Sequence, residues 1–209
     1  MRYPQPISPD PAGGQRRETP GADLVEAIAV TSEVCGAALS PAAAKMLAHD
    51  LAGFSETAVL DALARCRMEL QEPLKMADIL ERIDDGRPGV DDAWSMMPKT
   101  ELESVVWTDE MAQAWGIASP LLNNGDITGA RNAFHDAYGK AVLRARIKRT
   151  PARWMPSLGN DVASRESVLL DAVRQRRLTA VHVAQLLPAE ATSPQMQEIF
   201  EQVKLKNLH

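Results

Sequence analysis

Alanine dominates this chain, and aromatic residues are scarce. Its 209 residues include 31 alanines but only 4 Trp, 3 Phe and 2 Tyr. Alanine loses no side-chain entropy when it enters a helix, whereas β-sheets favour aromatic and β-branched side chains. Apolar residues make up 45% of the sequence, which is enough for a globular core. We therefore predict an all-α fold and find no segment that indicates a strand.

Proline and glycine divide the chain into four parts. Residues 1–21 contain five Pro and three Gly with few large apolar side chains, which predicts a flexible arm. Residues 22–86 are predicted to form a small helical bundle that ends in the turn-rich sequence DDGRPGVDD. A second helical region is predicted over residues 91–187, and a C-terminal amphipathic helix over residues 193–209.

Residues that favour helix N-caps indicate where the helices start. The positions expected to start helices are Ser40, Ser55, Asp91, Thr108, Asp126, Ser164 and Ser193. Gly53 is expected to end the second helix in a turn of positive φ. The longest helix is predicted from Asp126 to about residue 149, and residues 150–160 are predicted to form a proline-containing connector.

The net charge of −5 is unevenly distributed along the chain. Ten acidic and three basic residues lie between positions 78 and 110, whereas eleven basic and four acidic residues lie between positions 131 and 177. Such polarity brings two parts of one molecule together, or it provides separate surfaces for a basic and an anionic partner. Both interpretations stay open at this point.

The basic stretch is densest between positions 137 and 160, which hold six bases and no acid. The candidate nucleic-acid-binding residues are Lys140, Arg144, Arg146, Lys148, Arg149, Arg153 and Trp154. In this interpretation the cations contact phosphates and Trp154 stacks on an exposed base. Alternatively, the cations complement the carbonyl end of the helix macrodipole, and the acidic stretch is their counter-surface. The overall negative charge favours the second interpretation.

No sequence pattern indicates catalysis. The chain contains no GxxxxGK[ST], GxGxxG, GxSxG or HExxH pattern. The acidic cluster of Asp84, Asp85, Asp91 and Asp92 lacks the spacing of an EF-hand loop, and we interpret these residues as helix caps and solvated side chains. We expect a protein that is not an enzyme and has no catalytic residue, cofactor or metal.

Cysteine usage and hydropathy favour a cytoplasmic protein. Cys35 and Cys66 form no CxxC pair and are expected to be small buried hydrophobes in a reducing compartment. The N-terminal residues lack the apolar segment of a signal peptide, and no apolar run is long enough for a membrane span. We therefore expect no membrane partner.

The segment PLKMADILERI, residues 73–83, has the pattern of a short helix led by proline. Together with the helices predicted before it, from residue 22 onward, it resembles the helical domain of phage-encoded replicative-helicase loaders and loader/inhibitors. It departs from their pattern at Glu72, where a large aromatic residue is expected. The segments VVWTDEMAQAWGIASPLL and ARWMPSLGN resemble proteins of temperate phages and prophages of proteobacteria.

This resemblance implies an adaptor without ATPase activity. Such an adaptor binds the host hexameric replicative helicase and loads or inhibits it during DNA replication. The basic stretch adds single-stranded DNA as a candidate partner. The candidate partner-binding residues are Met196, Ile199, Phe200 and Val203. This apolar stripe would lie in a groove of the helicase or close the core of this protein.

Two other functions remain open. One is a nucleic-acid-binding phage regulator, based on residues 140–153 and on a weak helix-turn-helix pattern at residues 174–188. The other is an inhibitor of a different host or defence assembly, which requires only a helical surface with strong charge polarity. Salt dependence separates the regulator from the other two, because phosphate contacts make affinity fall steeply with salt.

Overall fold

The computed structural model describes residues 21–187, 193–194, 197–198 and 201. Within these residues the protein is mainly α-helical, with nine helices and one two-stranded sheet. Contacts divide the chain into an N-terminal unit that ends at Ile83 and a C-terminal unit that begins at Asp84. The predicted arm, apart from its last residue, lies outside the described residues.

The N-terminal unit contains four helices. They are α1 (Ala22–Val34), α2 (Pro41–Leu51), α3 (Glu56–Glu69) and α4 (Met76–Arg82). Helix α1 contacts α2 and α3, and α3 contacts α4.

As predicted, the hydroxyls of Ser40 and Ser55 accept the backbone N–H of the third residue of α2 and α3, each at 3.2 Å. The prediction of a positive φ at Gly53, beyond α2, was wrong. In the described part of this unit, the glycine with a positive φ is Gly36 (φ +94°), just beyond α1.

The core of the N-terminal unit is aliphatic. Ile28, Leu51, Leu63 and Ile79 are fully buried, one from each of the four helices. Cys35 and Cys66 are free and buried, as expected from the sequence. Burial raises the pKa of the Cys66 thiol to about 11, because a thiolate loses its hydration there.

The C-terminal unit contains the other five helices. They are α5 (Val90–Ser95), α6 (Asp109–Asn123), α7 (Ile127–Ile147), α8 (Val162–Arg174) and α9 (Ala180–Leu186). Thr108 and Asp126 cap α6 and α7 as predicted, accepting the N–H of Met111 at 3.3 Å and of Gly129 at 2.8 Å. Asp91 does not cap α5; it lies in the first turn, and Gly89 precedes the helix.

Two short strands correct the all-α prediction. Strand β1 (Val105–Thr108) pairs antiparallel with β2 (Trp154–Ser157), so that Thr108 lies opposite Trp154. The second strand occupies the middle of the predicted connector at residues 150–160. Its partner, the segment VVWT, is β-branched and aromatic, which suits a pleated strand. The fold is therefore mainly α, with one antiparallel pair of short strands that are distant in sequence.

Apolar side chains of the C-terminal unit form two clusters. The first lies among α5, α6 and α7 around the fully buried Phe134, whose ring centroid is 5.3 Å from that of Trp94 and 5.6 Å from that of Tyr138. The second joins α8 and α9 to β1 through Leu169, Val183 and Val106. Trp154 packs against both clusters. Within the described part of the chain, no helix combines the length and apolarity required to cross a membrane.

Candidate nucleic-acid interface

The predicted basic residues lie at the carboxyl end of α7 and in the segment that leads to β2. Lys140, Arg144, Lys148, Arg149 and Arg153 are exposed. Arg146 is only 7% exposed, and Trp154 is half-buried. The structure thus brings five of the six predicted cations to the surface and one to the interior.

Ion pairing distinguishes the exposed cations from one another. Lys140 donates to Asp136 one helical turn earlier, at 2.7 Å. Among the residues that the structure describes, no carboxylate pairs with Arg144, Lys148 or Arg153. Arg144 and Lys148 at the end of α7, and Arg153 just before β2, therefore face solvent without a counter-ion from the described chain. We call them the basic end of α7.

Arg146 belongs to a buried network of four charges. Its guanidinium contacts both carboxylate oxygens of Asp85, with Nε 3.1 Å from Oδ2 and Nη2 3.0 Å from Oδ1. Arg87 contacts Asp85 from the same loop, and it also donates to Glu110 at 2.8 Å and to the carbonyl of Thr150 at 3.0 Å. Two acids and two bases thus hold the loop before α5 against α6 and α7. Asp85 belongs to the acidic stretch between positions 78 and 110, so this stretch provides the counter-charge for Arg146 inside the protein.

The network controls the ionisation of its members. Burial alone would raise the pKa of the Asp85 carboxyl, but hydrogen bonds and charge from Arg146 and Arg87 hold it below its usual value. Glu110 shows the same balance, since burial is outweighed by its hydrogen bond from Arg87 and the pKa is lowered. Burial would lower the pKa of Arg87, yet its two carboxylate partners raise it. Both carboxylates are therefore held in their charged form at neutral pH, each beside an arginine.

Trp154 is not placed as predicted for stacking on a base. The guanidinium carbon of Arg177 lies 4.2 Å from the centroid of its ring, in cation–π geometry. The indole also packs against the two apolar clusters. The Trp154 ring therefore supports an arginine. Arg177 is a basic residue that was not among the predicted site residues. The only sequence signal for Arg177 is its place in the run RQRR after α8.

The acidic cluster is divided among separate partners. Asp84 Oδ1 accepts the N–H of Gly86 at 3.1 Å, Asp85 belongs to the buried network, and Asp91 pairs with Arg131 at 2.8 Å. Across the described ranges, no group of three His, Cys, Asp or Glu residues has the arrangement of a metal site. The predicted partner-binding residues Met196, Ile199, Phe200 and Val203 lie outside the described residues.

Comparison with protein-family models, curated proteins and solved structures finds no match for the chain.

Proposed function

We propose that this chain is a phage-type adaptor that binds the host hexameric replicative helicase, loads or inhibits it, and contacts single-stranded DNA through the basic end of α7. The helicase part of this proposal is supported by the resemblance of residues 22–83 to helicase loaders and loader/inhibitors. The DNA part is supported by the position and pairing of the basic residues.

The observation that carries the DNA part is the set of three exposed cations without a carboxylate partner in the described chain, Arg144, Lys148 and Arg153. Complementing the macrodipole accounts for cations in the last turn of a helix, and this effect falls off beyond that turn. Arg153 lies past the end of α7, next to β2, so the macrodipole does not account for it. Internal pairing does not account for it either. A surface that attracts phosphates explains all three positions together.

A ring helicase is opened by an adaptor only if the adaptor binds the open state more tightly than the closed state. An amphipathic helix in a groove of the helicase is one way to provide such contacts, and Met196, Ile199, Phe200 and Val203 are the residues that we propose for it. A cationic surface on the same adaptor adds free energy only when a single strand is present. The adaptor would therefore couple ring opening to DNA access.

The test is size-exclusion chromatography with light scattering on the full chain, a purified proteobacterial hexameric helicase and a labelled single-stranded oligonucleotide. We expect the chain to elute with the helicase and to increase the amount of oligonucleotide in that peak. The variant I199D/F200D should lose the helicase and keep its circular-dichroism spectrum. If this variant loses its helicity, the apolar stripe belongs to the core of the protein.

The second candidate is a nucleic-acid-binding regulator that acts without the helicase. It is favoured by the same basic end of α7 and by α8 and α9, which contact each other across the short segment 175–179. The chain would then bind the oligonucleotide and fail to elute with the helicase. Failure to bind either the helicase or DNA would contradict both candidates.

A further inference from the structure

A second basic feature lies beside Trp154. A cleft of about 280 Å³ opens in the C-terminal unit between the loop at residues 84–88, the Trp154 indole and the turn at residues 175–177. Its charged lining consists of Arg87, Arg176, Arg177 and one carboxylate, Asp84. The charge of Arg87 is balanced by Asp85 and Glu110, so the positive charge of the lining comes from Arg176 and Arg177.

Arg177 is a half-buried cation without a counter-ion in the described chain. Its contacts are the Trp154 ring, 4.2 Å from the guanidinium carbon, and the sulfur of Met96, 3.8 Å from Nη1. Burial lowers the pKa of Arg177, and no neighbouring acid offsets that effect. Arginine nevertheless stays charged in proteins. The fold thus keeps a partly dehydrated positive charge beside the cleft.

Arg87, which lines the same cleft, has an unsatisfied donor. Its side chain is fully buried, and its Nη groups donate to Asp85, Glu110 and the carbonyl of Thr150. Its Nε is buried and has no acceptor among the described residues. A buried donor without an acceptor is costly, so the loop beside the cleft carries an unsatisfied polar atom.

The turn at residues 175–177 adds the remaining cation. Arg176 is exposed and has φ +57°, a conformation that L-residues adopt at a cost. The turn is held by backbone bonds from Arg176 N–H to Val173 O at 2.9 Å and from Arg177 N–H to Ala172 O at 2.8 Å. Because of this turn, two consecutive arginines both line the cleft.

We propose that this cleft binds a phosphate group, with Arg177 as the principal donor. The guanidinium of Arg177, whose central carbon lies 4.2 Å from the indole centroid, is planar and carries its N–H groups in one plane, where they match two oxygens of a phosphate. Arg176 contributes charge at the rim. The Asp84 carboxylate, whose Oδ1 already accepts the Gly86 N–H, makes up part of the lining without pairing with either arginine. The ligand is thus anionic, small and rich in acceptors.

Two sources supply such a group. One is a phosphodiester of single-stranded DNA, and this assignment rests on the proposed function. The other is a phosphate monoester, such as a 5′-phosphate end or free inorganic phosphate. The experiment distinguishes them by using a 5′-hydroxyl oligonucleotide, the same oligonucleotide with a 5′-phosphate, and inorganic phosphate alone.

The variants are R177Q, R177K and R176Q, with R174Q as the matched control. Arg174 carries the same charge three residues earlier, but it is exposed and pairs with Asp171 at 2.7 Å. Fluorescence anisotropy with each oligonucleotide should show about tenfold weaker binding for R177Q and for R177K, since lysine lacks the bidentate fork. The slope of log affinity against log salt should fall by about 0.7 for R177Q, as one phosphate contact is lost. R174Q should match the wild type.

R176Q keeps the packing of Arg177 on Trp154 and should weaken binding by a smaller factor, which separates ligand binding from folding. Equal binding of the two oligonucleotides assigns the phosphodiester, whereas preference for the 5′-phosphate assigns the monoester. If the wild type binds no DNA but calorimetry detects inorganic phosphate that R177Q fails to bind, the DNA part of the proposed function fails and the cleft stands. The proposal is overturned if R177Q and R174Q have the same effect on every probe that the wild type binds, or if the wild type binds none of them.

Discussion

Arg146 and Asp85 are 61 residues apart in the chain and make a two-point contact, from Nε to Oδ2 at 3.1 Å and from Nη2 to Oδ1 at 3.0 Å. The contact joins the last turn of α7 to the loop before α5. The same loop is joined to the start of α6 by Arg87 and Glu110, at 2.8 Å. Charged groups therefore hold this loop in place, and the network also removes one cation from the surface while its neighbours on α7 stay exposed.

The first prediction concerns removal of the central carboxylate. D85N leaves Arg146 and Arg87 buried without their shared charge, and breaking a buried ion pair in this way is expected to cost about 3 kcal/mol of unfolding free energy. D84N is the control, because Asp84 is exposed and its change should stay within about 0.5 kcal/mol. Urea unfolding followed by tryptophan fluorescence measures both, since all four tryptophans lie in the C-terminal unit. Equal midpoints for the two variants would show that the network contributes little.

The second prediction concerns acid. Asp85 and Glu110 have pKa values below their usual range in the folded protein, so the unfolded chain takes up their protons first as pH falls. Their stabilisation is fully present above the unfolded pKa values, about 3.9 and 4.3, and is lost as pH falls through the lower folded values. The unfolding free energy of the wild type should therefore fall below about pH 4. D85N should show a shallower fall over the same pH series, and parallel curves would contradict the assignment.

The third prediction concerns a close backbone approach. A Cβ on Gly159 would lie 2.2 Å from the carbonyl oxygen of Leu102 and 2.5 Å from the carbonyl carbon of Glu103. G159A therefore forces the backbone beside β2 apart and should cost about 1–3 kcal/mol. G139A, within α7, meets no atom within 4 Å and should instead stabilise the protein by about 0.5–1 kcal/mol. Thermal unfolding of the two variants should shift in opposite directions.

Local signals predicted the helix starts at Ser40, Ser55, Thr108 and Asp126 correctly. They were wrong at Asp91, which lies in the first turn of α5, and at Ser164, which lies inside α8. Ser40, Thr108 and Asp126 cap their helices because a cap depends on a side chain and a backbone N–H only three residues away. Alanine content correctly indicated a mainly helical fold.

Distant pairings could not be predicted in this way. Strand β2 forms by pairing with β1, where Val106 lies opposite Pro156. The sequence of β2 itself, WMPS, contains a proline, which favours a connector over a strand. The burial of Arg146 depends on Asp85, and the place of Trp154 depends on Arg177; neither partner is near in sequence. Periodicity predicts which side of a helix or strand is apolar, but it does not predict which charged residue of another element pairs with a given side chain.

The central claim is that the basic end of α7 contacts the backbone of single-stranded DNA. The most direct measurement is the salt dependence of oligonucleotide binding, by fluorescence anisotropy, for the wild type and for R144Q/K148Q/R153Q. The control R65Q/R131Q/R174Q removes the same charge from three exposed arginines that each pair with a carboxylate. We predict that the slope of log affinity against log salt falls by about 2 in the first variant, at about 0.7 per phosphate contact, and is nearly unchanged in the control. The same slope in all three proteins, or no binding by the wild type, would contradict the claim.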